Sequence, residues 1–299
     1  MNYVIITPAY NEEKCISQTI ESVIVQPIKP LKWIIVDDGS TDRTADIIKS
    51  YASQFSWIQY VLRTREPGQS YYASNVYAIQ KGIASLSGLP YDYIAILDAD
   101  ITLPQNYYQN LIRAFASDAQ LGIASGNCAD KIDKKLVRHL YDRRSCAKAV
   151  MVFRKECFNQ IGGFVPLKYG GEDTCACFSA RMLGWKTWAF HELMATHNKP
   201  LGTGPSKKVL SIRFRQGLCD WALAAPLSFA ILKSIRRCFK EPPFIIGGLA
   251  RMVGYISGFC SGEKRQISGE LACYIRSEQL SRVFKGNKIP TEHRVEFKL

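Results

Sequence analysis

The chain predicts an α/β fold: a mostly parallel central sheet with flanking helices, followed by a helical C-terminal segment. Three observations carry this. Short apolar runs alternate with helix-period stretches through the first half of the chain, which implies crossover connections between parallel strands. The runs are continuous and rich in β-branched residues, as buried strands are. Three of them stop at a polar cluster, and open α/β sheets keep their ligands at the carboxyl ends of strands, near a topological switch point.

Taken in order, Val4-Ile5-Ile6 is the first strand and leads into Thr7-Pro8-Ala9-Tyr10-Asn11-Glu12-Glu13. Ile16, Ile20, Val23 and Ile24 then recur at helical spacing. Trp33-Ile34-Ile35-Val36 is the second strand, ending in Asp37-Asp38-Gly39-Ser40-Thr41-Asp42. Ser40 or Thr41 is the expected N-cap of a helix with Ile47, Ile48 and Tyr51 on one face. A strand at Ile58 to Leu62 precedes Arg63-Thr64-Arg65-Glu66-Pro67-Gly68, and a helix runs roughly from Ala73 to Leu86. Tyr93-Ile94-Ala95-Ile96-Leu97 is the next strand, closed by Asp98-Ala99-Asp100. Gly122 to Phe164 reads as mixed strand and loop, and Gly162-Gly163 and Gly170-Gly171 mark turns. Glu172-Asp173 opens a helix carrying Ala176, Ala180 and Leu183, with Gly184 as its C-cap.

Past Pro205 the pattern changes. Leu218 to Leu232 is apolar but interrupted by Pro226, Lys233 to Lys240 is basic, and Phe244 to Cys260 is apolar around Arg251 and four glycines. Glu270 to Phe284 patterns as a polar amphipathic helix. Two domains are expected, residues 1–204 and a basic, largely helical 205–299. Of the formal +13 charge, 22 Lys+Arg against 19 Asp+Glu fall before Pro205, and 17 against 7 fall after it. The basic excess of the last third points to an anionic surface as partner: a membrane, nucleic acid or a phosphorylated acceptor. Interrupted apolar helices beside Lys233, Arg236, Arg237, Lys240, Arg251, Lys264 and Arg265 fit a segment lying in the headgroup region. The competing reading is a pair of helices packed on the catalytic domain with a solvated basic face.

No nucleic-acid motif is present, and no nucleic-acid partner is expected. The ten cysteines show no disulfide or zinc spacing, so reduced thiols in a cytoplasmic protein are expected. Strand-like sequence starts at Tyr3 with no basic n-region or apolar h-region before it, so no targeting segment is expected. No apolar run reaches the ~18 residues of a spanning helix.

The chemistry follows from the polar clusters. Asp98 and Asp100 are two apart, and on an extended strand they would face one way and seat a hard divalent cation, Mg²⁺ or Mn²⁺, able to hold a diphosphate. Transfer of a sugar from a nucleoside diphosphate needs that charge against the leaving group and a base for the acceptor hydroxyl. Glu172 and Asp173 supply the base. Asp38 can accept from a ring N–H of uracil or guanine, Tyr10 can lie near the base, and Asn11 or Glu12 near the ribose.

Thr7-Pro8-Ala9-Tyr10-Asn11-Glu12, Val36-Asp37-Asp38-Gly39-Ser40-Thr41-Asp42, Leu97-Asp98-Ala99-Asp100 and Gly170-Gly171-Glu172-Asp173 occur in this order. Together they resemble a family 2 glycosyltransferase with the Rossmann-like GT-A fold, over roughly Met1 to Leu201. The resemblance implies that Asp38 reads the nucleobase and that Asp100 ligates the metal. It sets Asp98 near ribose, diphosphate and metal, and makes Asp173 the base of an inverting single displacement. His197 becomes a further metal ligand or diphosphate contact. Pro8, Tyr10, Glu12 and Asn75 are the remaining donor-binding positions it implies. Two departures stand out: Cys175 replaces a common acidic residue, and Ile212-Arg213-Phe214-Arg215-Gln216-Gly217 does not match the Gln-x-x-Arg-Trp of processive members. A single-addition enzyme is therefore expected, with Arg213 or Arg215 near the diphosphate.

The resemblance thus implies a UDP-sugar donor and a saccharide or lipid-linked saccharide acceptor in polysaccharide or glycolipid assembly. The expected location is the cytoplasm or the cytoplasmic face of the membrane. The rivals are a nucleotidyltransferase, disfavoured because the first loop is neither Gly-rich nor basic, and a non-catalytic membrane-surface scaffold. His139, His191 and His293 read as structural, and Tyr71, Tyr72 and Tyr77 as helix packing.

Overall fold

The computed structural model describes residues 1–132, 135–138, 142–199, 208–240 and 242–285. His139, His293 and the boundary expected between residues 204 and 205 lie outside them. The chain forms two compact units, Met1–Pro166 with Glu172–Leu201, and Leu167–Gly171 with the chain from Gly202.

The first unit alternates as the apolar runs require. Its opening half runs β1 (Tyr3–Ala9), α1 (Ile16–Ile24), β2 (Lys32–Asp37), α2 (Thr44–Gln54), β3 (Ile58–Leu62), α3 (Tyr71–Ala84) and β4 (Tyr93–Leu97). Then come β5 (Ile101–Thr102), α4 (Tyr107–Ser117), β6 (Leu121–Ile132), β7 (Lys135–Arg138), β8 (Val150–Arg154), α5 (Lys155–Gln160), α6 (Glu172–Met182) and β9 (Lys186–His197). The sheet order among the described residues is β3-β2-β1-β4-β8-β6-β9-β5, with β7 on β6. Strands β3, β2, β1 and β4 are parallel, whereas β8 is antiparallel to both β4 and β6.

β1 and β4 are buried at every residue, which is why they read as unbroken apolar runs. Val4, Ile6, Ile34, Val36, Ile94 and Ile96 form one core with Val76 and Ile79 of α3. Each such aliphatic side chain contributes roughly 1.5–3 kcal/mol on burial. Gly82 lets α3 lie close on the sheet, because a Cβ there would sit 2.8 Å from Ile6 Cγ2.

The expected cap of α2 is not observed. The helix begins at Thr44, whose amide donates to Asp42 Oδ1 at 3.0 Å. Ser40 and Thr41 serve the neighbouring loop instead. The Asn11 amide donates to Ser40 Oγ at 3.0 Å, and the Thr41 amide to Asn11 Oδ1 at 2.8 Å. Because β1 and β2 are adjacent and parallel, their carboxyl-end loops emerge side by side and satisfy each other. Gly184, at φ +88°, does close α6, and its N–H donates to the Arg181 carbonyl at 3.0 Å.

The second unit is helical: α7 (Val209–Ala222), α8 (Leu227–Lys240), α9 (Ile246–Cys260) and α10 (Gly269–Lys285). Its core is small, formed by Trp221, Ala222, Ala225, Ala230 and Tyr255. Asp220 is buried between Arg251, whose Nε donates to it at 2.7 Å, and Lys233 at 2.9 Å. No helix of the described residues is long and apolar enough to cross a membrane.

Candidate active site

From β1 the chain moves through α1 to β2 on one side, and β4 lies on the other. The direction of winding therefore reverses between β1 and β4, and their carboxyl ends flank the crevice where such sheets bind ligands. Tyr10 to Glu13 leave β1 there, Asp98 to Asp100 leave β4, and Asp37 to Asp42 leave the adjacent β2.

Asp98 and Asp100 lie in a turn, not on an extended strand, and their carboxylates part company. Asp98 Oδ1 accepts from Lys148 Nζ at 2.9 Å, whereas Asp100 Oδ1 lies 3.3 Å from His197 Nε2. The expectation that both face one way fails because a turn lacks the two-residue alternation of a strand. The turn is tied down on both sides. Thr19 Oγ1 of α1 donates to the Ala99 carbonyl at 2.8 Å, and the Asp98 amide donates to Ala149 O at 3.0 Å.

Strand pairing brings His197 to this turn. β5 pairs with the end of β9, setting Ile101 opposite His197, and β6 sets Asp130 opposite it from the other side. His197 Nδ1 lies 3.4 Å from Asp130 Oδ1. Burial alone pushes the imidazole down, but Asp100 and Asp130 outweigh it and push it up to about 10.

Lys148, just ahead of β8, is the hub. Besides Asp98, its ammonium donates to Asn75 Oδ1 at 2.8 Å and lies 3.9 Å from Glu172. Burial opposes its charge, but Asp98 and Glu172 hold it well above the usual lysine range. Glu172 and Asp173 open α6, and burial pushes both carboxyls up, against the pull of Lys148. Asp173 Oδ1 accepts from the Thr174 amide at 2.6 Å. Glu12 is ion-paired to Lys199 at 2.5 Å, yet burial and the charge of Asp100 push its carboxyl up to about 7. Tyr71 is not only packing, since its hydroxyl feels Lys148, Asp98, Glu12 and Asp100, and burial pushes it up to about 12.

Asp38 forms a separate corner. Its carboxylate accepts from Arg63, from Arg65 Nη2 at 2.8 Å and from Ser74 Oγ at 2.7 Å. These donors, with Arg65 Nε at 3.1 Å, take up the acceptor capacity that was expected to read a base directly. Arg65 also stacks on Tyr10, its guanidinium 4.1 Å from the ring centroid. Pro8 is inside β1, paired with Val36, and shapes the strand end without presenting a polar group. Arg213 donates to Gln216 and to the Pro242 carbonyl, and Arg215 to the Tyr169 carbonyl at 2.7 Å.

Among the described residues no three His, Cys, Asp or Glu side chains are grouped to hold a metal ion. Asp100 supplies a carboxylate, and His197 becomes a second donor once an arriving cation displaces its proton. That set does not make an all-protein cage, but it fits a Mg²⁺ or Mn²⁺ that takes its other ligands from phosphate and water. Glu12 is pushed up mainly by burial and secondarily by the charge of Asp100 beside it.

Sequence reading missed Lys148, Asp130, Lys199 and the two arginines on Asp38. Lys148 had a signal: it is the single charge in Cys146-Ala147-Lys148-Ala149-Val150-Met151, beside an apolar strand. Arg63 and Arg65 stood in the loop after β3, where a basic pair was visible but its partner was not. His191 keeps no place in this cluster; burial pushes it down.

The sequence model of the family described as Glycosyl transferase family 2 matches residues 4–181, more than half of the chain. The chain is 31% identical over 124 residues to the probable glycosyltransferase YdaM of Bacillus subtilis (strain 168), covering 41% of this chain and 28% of that protein. It is 30% identical over 118 residues to the poly-beta-1,6-N-acetyl-D-glucosamine synthase of Staphylococcus aureus (strain COL), covering 40% of this chain and 26% of the synthase. The matched segment thus spans little more than a quarter of these curated relatives.

Among solved structures, the mannosyltransferase PcManGT from Pyrobaculum calidifontis, in complex with GDP-Man and Mn²⁺, superposes with a TM-score of 0.54 at 16% identity. It covers 95% of this chain and 87% of its own. S. aureus TarS 1-349 in complex with UDP-GlcNAc gives 0.53 at 14% identity, over 73% of this chain and 65% of its own. These likenesses establish the shared GT-A fold. With the family model matched across β1 to α6, the chain belongs to glycosyl transferase family 2.

Proposed function

We propose that this glycosyltransferase moves a sugar from a UDP-sugar to a hydroxyl of a saccharide or lipid-linked saccharide, with inversion, in polysaccharide or glycolipid assembly. The observation that carries the reading is the convergence of Glu12, Asp98 and Asp100 on the switch-point crevice, joined through Lys148 to Glu172 and Asp173. The donor complexes of TarS and PcManGT support a nucleotide-activated donor, and the likeness to a polysaccharide synthase supports a saccharide acceptor.

Asp173 takes the proton of the attacking hydroxyl, a role to which its upward shift suits it, since the conjugate acid then lies nearer the working pH. Lys148 keeps Asp98 in place and screens Asp98 from Glu172. Asp38 holds Arg65 against Tyr10, and this pair presents the base-binding face. A Mg²⁺ or Mn²⁺ held by Asp100 and His197 would supply positive charge against the leaving diphosphate. The active region is residues 1–204, and the ten free thiols accord with a cytoplasmic site of action.

A thermal-shift panel of UDP, GDP and ADP, each with and without Mn²⁺, tests this. UDP with Mn²⁺ raises the melting temperature most, because a ligand that binds only the folded state stabilises it. Equal shifts from all three nucleotides, or none, would remove the donor assignment.

A further inference from the structure

We infer that α8 and α9 form a membrane-docking face that lies in the headgroup plane of an anionic bilayer. The observation is an inverted pair of helices. In a helix of a water-soluble core the large apolar side chains turn inward. Here α9 buries Gly247, Gly248, Arg251, Gly254, Tyr255 and Gly258, so that Tyr255 is its one large inward side chain, and leaves Ile246, Leu249, Val253 and Ile256 exposed at a spacing of three and four. α8 buries Ala230 and Ser234, and leaves Leu227, Ile231, Ile235 and Phe239 exposed every fourth residue. The two stripes meet through Phe244 and Ile245, both more than half exposed, at the turn between the helices.

The inward side explains the arrangement. A Cβ on Gly248 would lie 2.6 Å from the Ser234 carbonyl of α8, and one on Gly254 would lie 2.0 Å from Phe214 O of α7. Small residues let these backbones touch, and the polar Asp220–Arg251–Lys233 cluster sits inside. Apart from Tyr255 and the Trp221 it shares a core with, the two helices put small and polar residues inside and large aliphatic ones outside, the way helices pack when their outer solvent is lipid. Water gives such a face no reason to exist, and contiguous apolar patches of this kind mark interaction sites.

Charge identifies the occupant. Neither helix carries a carboxylate, while α8 carries Lys233, Arg236, Arg237 and Lys240. Arg236 and Lys240 are exposed beside the apolar stripe. In a two-fold dimer the same patch meets itself, so these cations would face one another with no acid on either helix to answer them. Anionic headgroups answer them directly. At about 1.5 Å per residue, helices of 14 and 15 residues fall well short of the ~30 Å hydrocarbon core, so they lie along the surface.

The inference extends the lipid-linked acceptor of the proposed function but is read by binding, not by transfer. The full chain is sedimented with vesicles of phosphatidylcholine alone and of phosphatidylcholine with phosphatidylglycerol, and its mass is followed by light scattering. The chain is expected on the anionic vesicles and to come off as salt is raised. Arg236→Gln and Lys240→Gln each weaken binding roughly fivefold. Phe239→Asp with Ile235→Asp abolishes it, while circular dichroism and the UDP-induced thermal shift stay at the wild-type level.

Failure to sediment with anionic vesicles, or retention of the double Asp variant on them, overturns the inference. So does a wild-type dimer that the double Asp variant dissolves in the absence of vesicle binding, which would give the face to a second copy. Vesicle binding without any nucleotide shift would instead overturn the donor assignment and leave this face standing.

Discussion

At the carboxyl end of β2, one carboxylate, Asp38, meets two guanidinium groups and a hydroxyl. At the carboxyl end of β4, Asp98 and Asp100 crowd with Glu12, Glu172 and Asp130 around Lys148, Lys199 and one imidazole. The first corner is neutralised by arginines, which keep their charge at any working pH. The second is neutralised in part by protons, since Glu12, Glu172 and His197 are all pushed up. A corner built on arginine is fixed in advance, whereas one built on protons responds to pH and to any cation that arrives.

The largest break in this contrast comes from Asp173→Asn. It removes the base and leaves in place the carboxylates that ion-pair with Lys148, Arg63 and Arg65, so transfer should fall about 10²- to 10⁴-fold while the UDP-induced thermal shift is kept. Single-turnover transfer alongside thermal shift separates the two. Lys148→Met should be costly in another way. It strands Asp98 and Glu172 without their shared cation, and truncating one side of a buried ion pair costs roughly 3–5 kcal/mol. Urea unfolding should show that loss, and transfer should fall with it.

Asp38→Asn sharpens the comparison from the other corner. It leaves Arg63 little exposed and short of its carboxylate, and should cost roughly 3 kcal/mol. Urea midpoints should show that loss. Glu12→Gln probes the other corner through its response to pH. The folded Glu12 carboxyl lies at about 7 against an ordinary 4.5, so its contribution to stability is complete below 4.5 and is lost as pH rises through about 7. Wild type should therefore fall relative to Glu12→Gln across that window, by up to roughly 3 kcal/mol at about 1.4 kcal/mol per pH unit, in urea midpoints taken along a pH series.

Much of the fold was legible because its strands are buried on both faces. Tyr93 to Leu97 needs no alternation to be recognised, and its end marks one wall of the crevice. The partners were not legible. Lys148 reaches Asn75, 73 residues away, and Arg63 reaches Asp38 across the β2–β3 pairing, and no local pattern encodes either meeting. Ser40 and Thr41 read as caps because their short polar side chains suit that role, but a neighbouring loop claimed them. In α8 and α9 the interrupted apolar runs were visible, but a hydropathy pattern does not say which side of a helix is inside. The glycines decide that through close contact, which only three dimensions reveal.

β9 is hydrogen-bonded along both edges where it ends, to β6 and to β5. A strand gripped on two sides cannot slip, and a slip of one residue would turn His197 to the opposite face. The ring's location is thereby a property of the main chain, while its basicity is a property of Asp100 and Asp130. Replacing Asp130 would retune the imidazole without moving it, so the protein can adjust the chemistry of this position without rebuilding the scaffold beneath it.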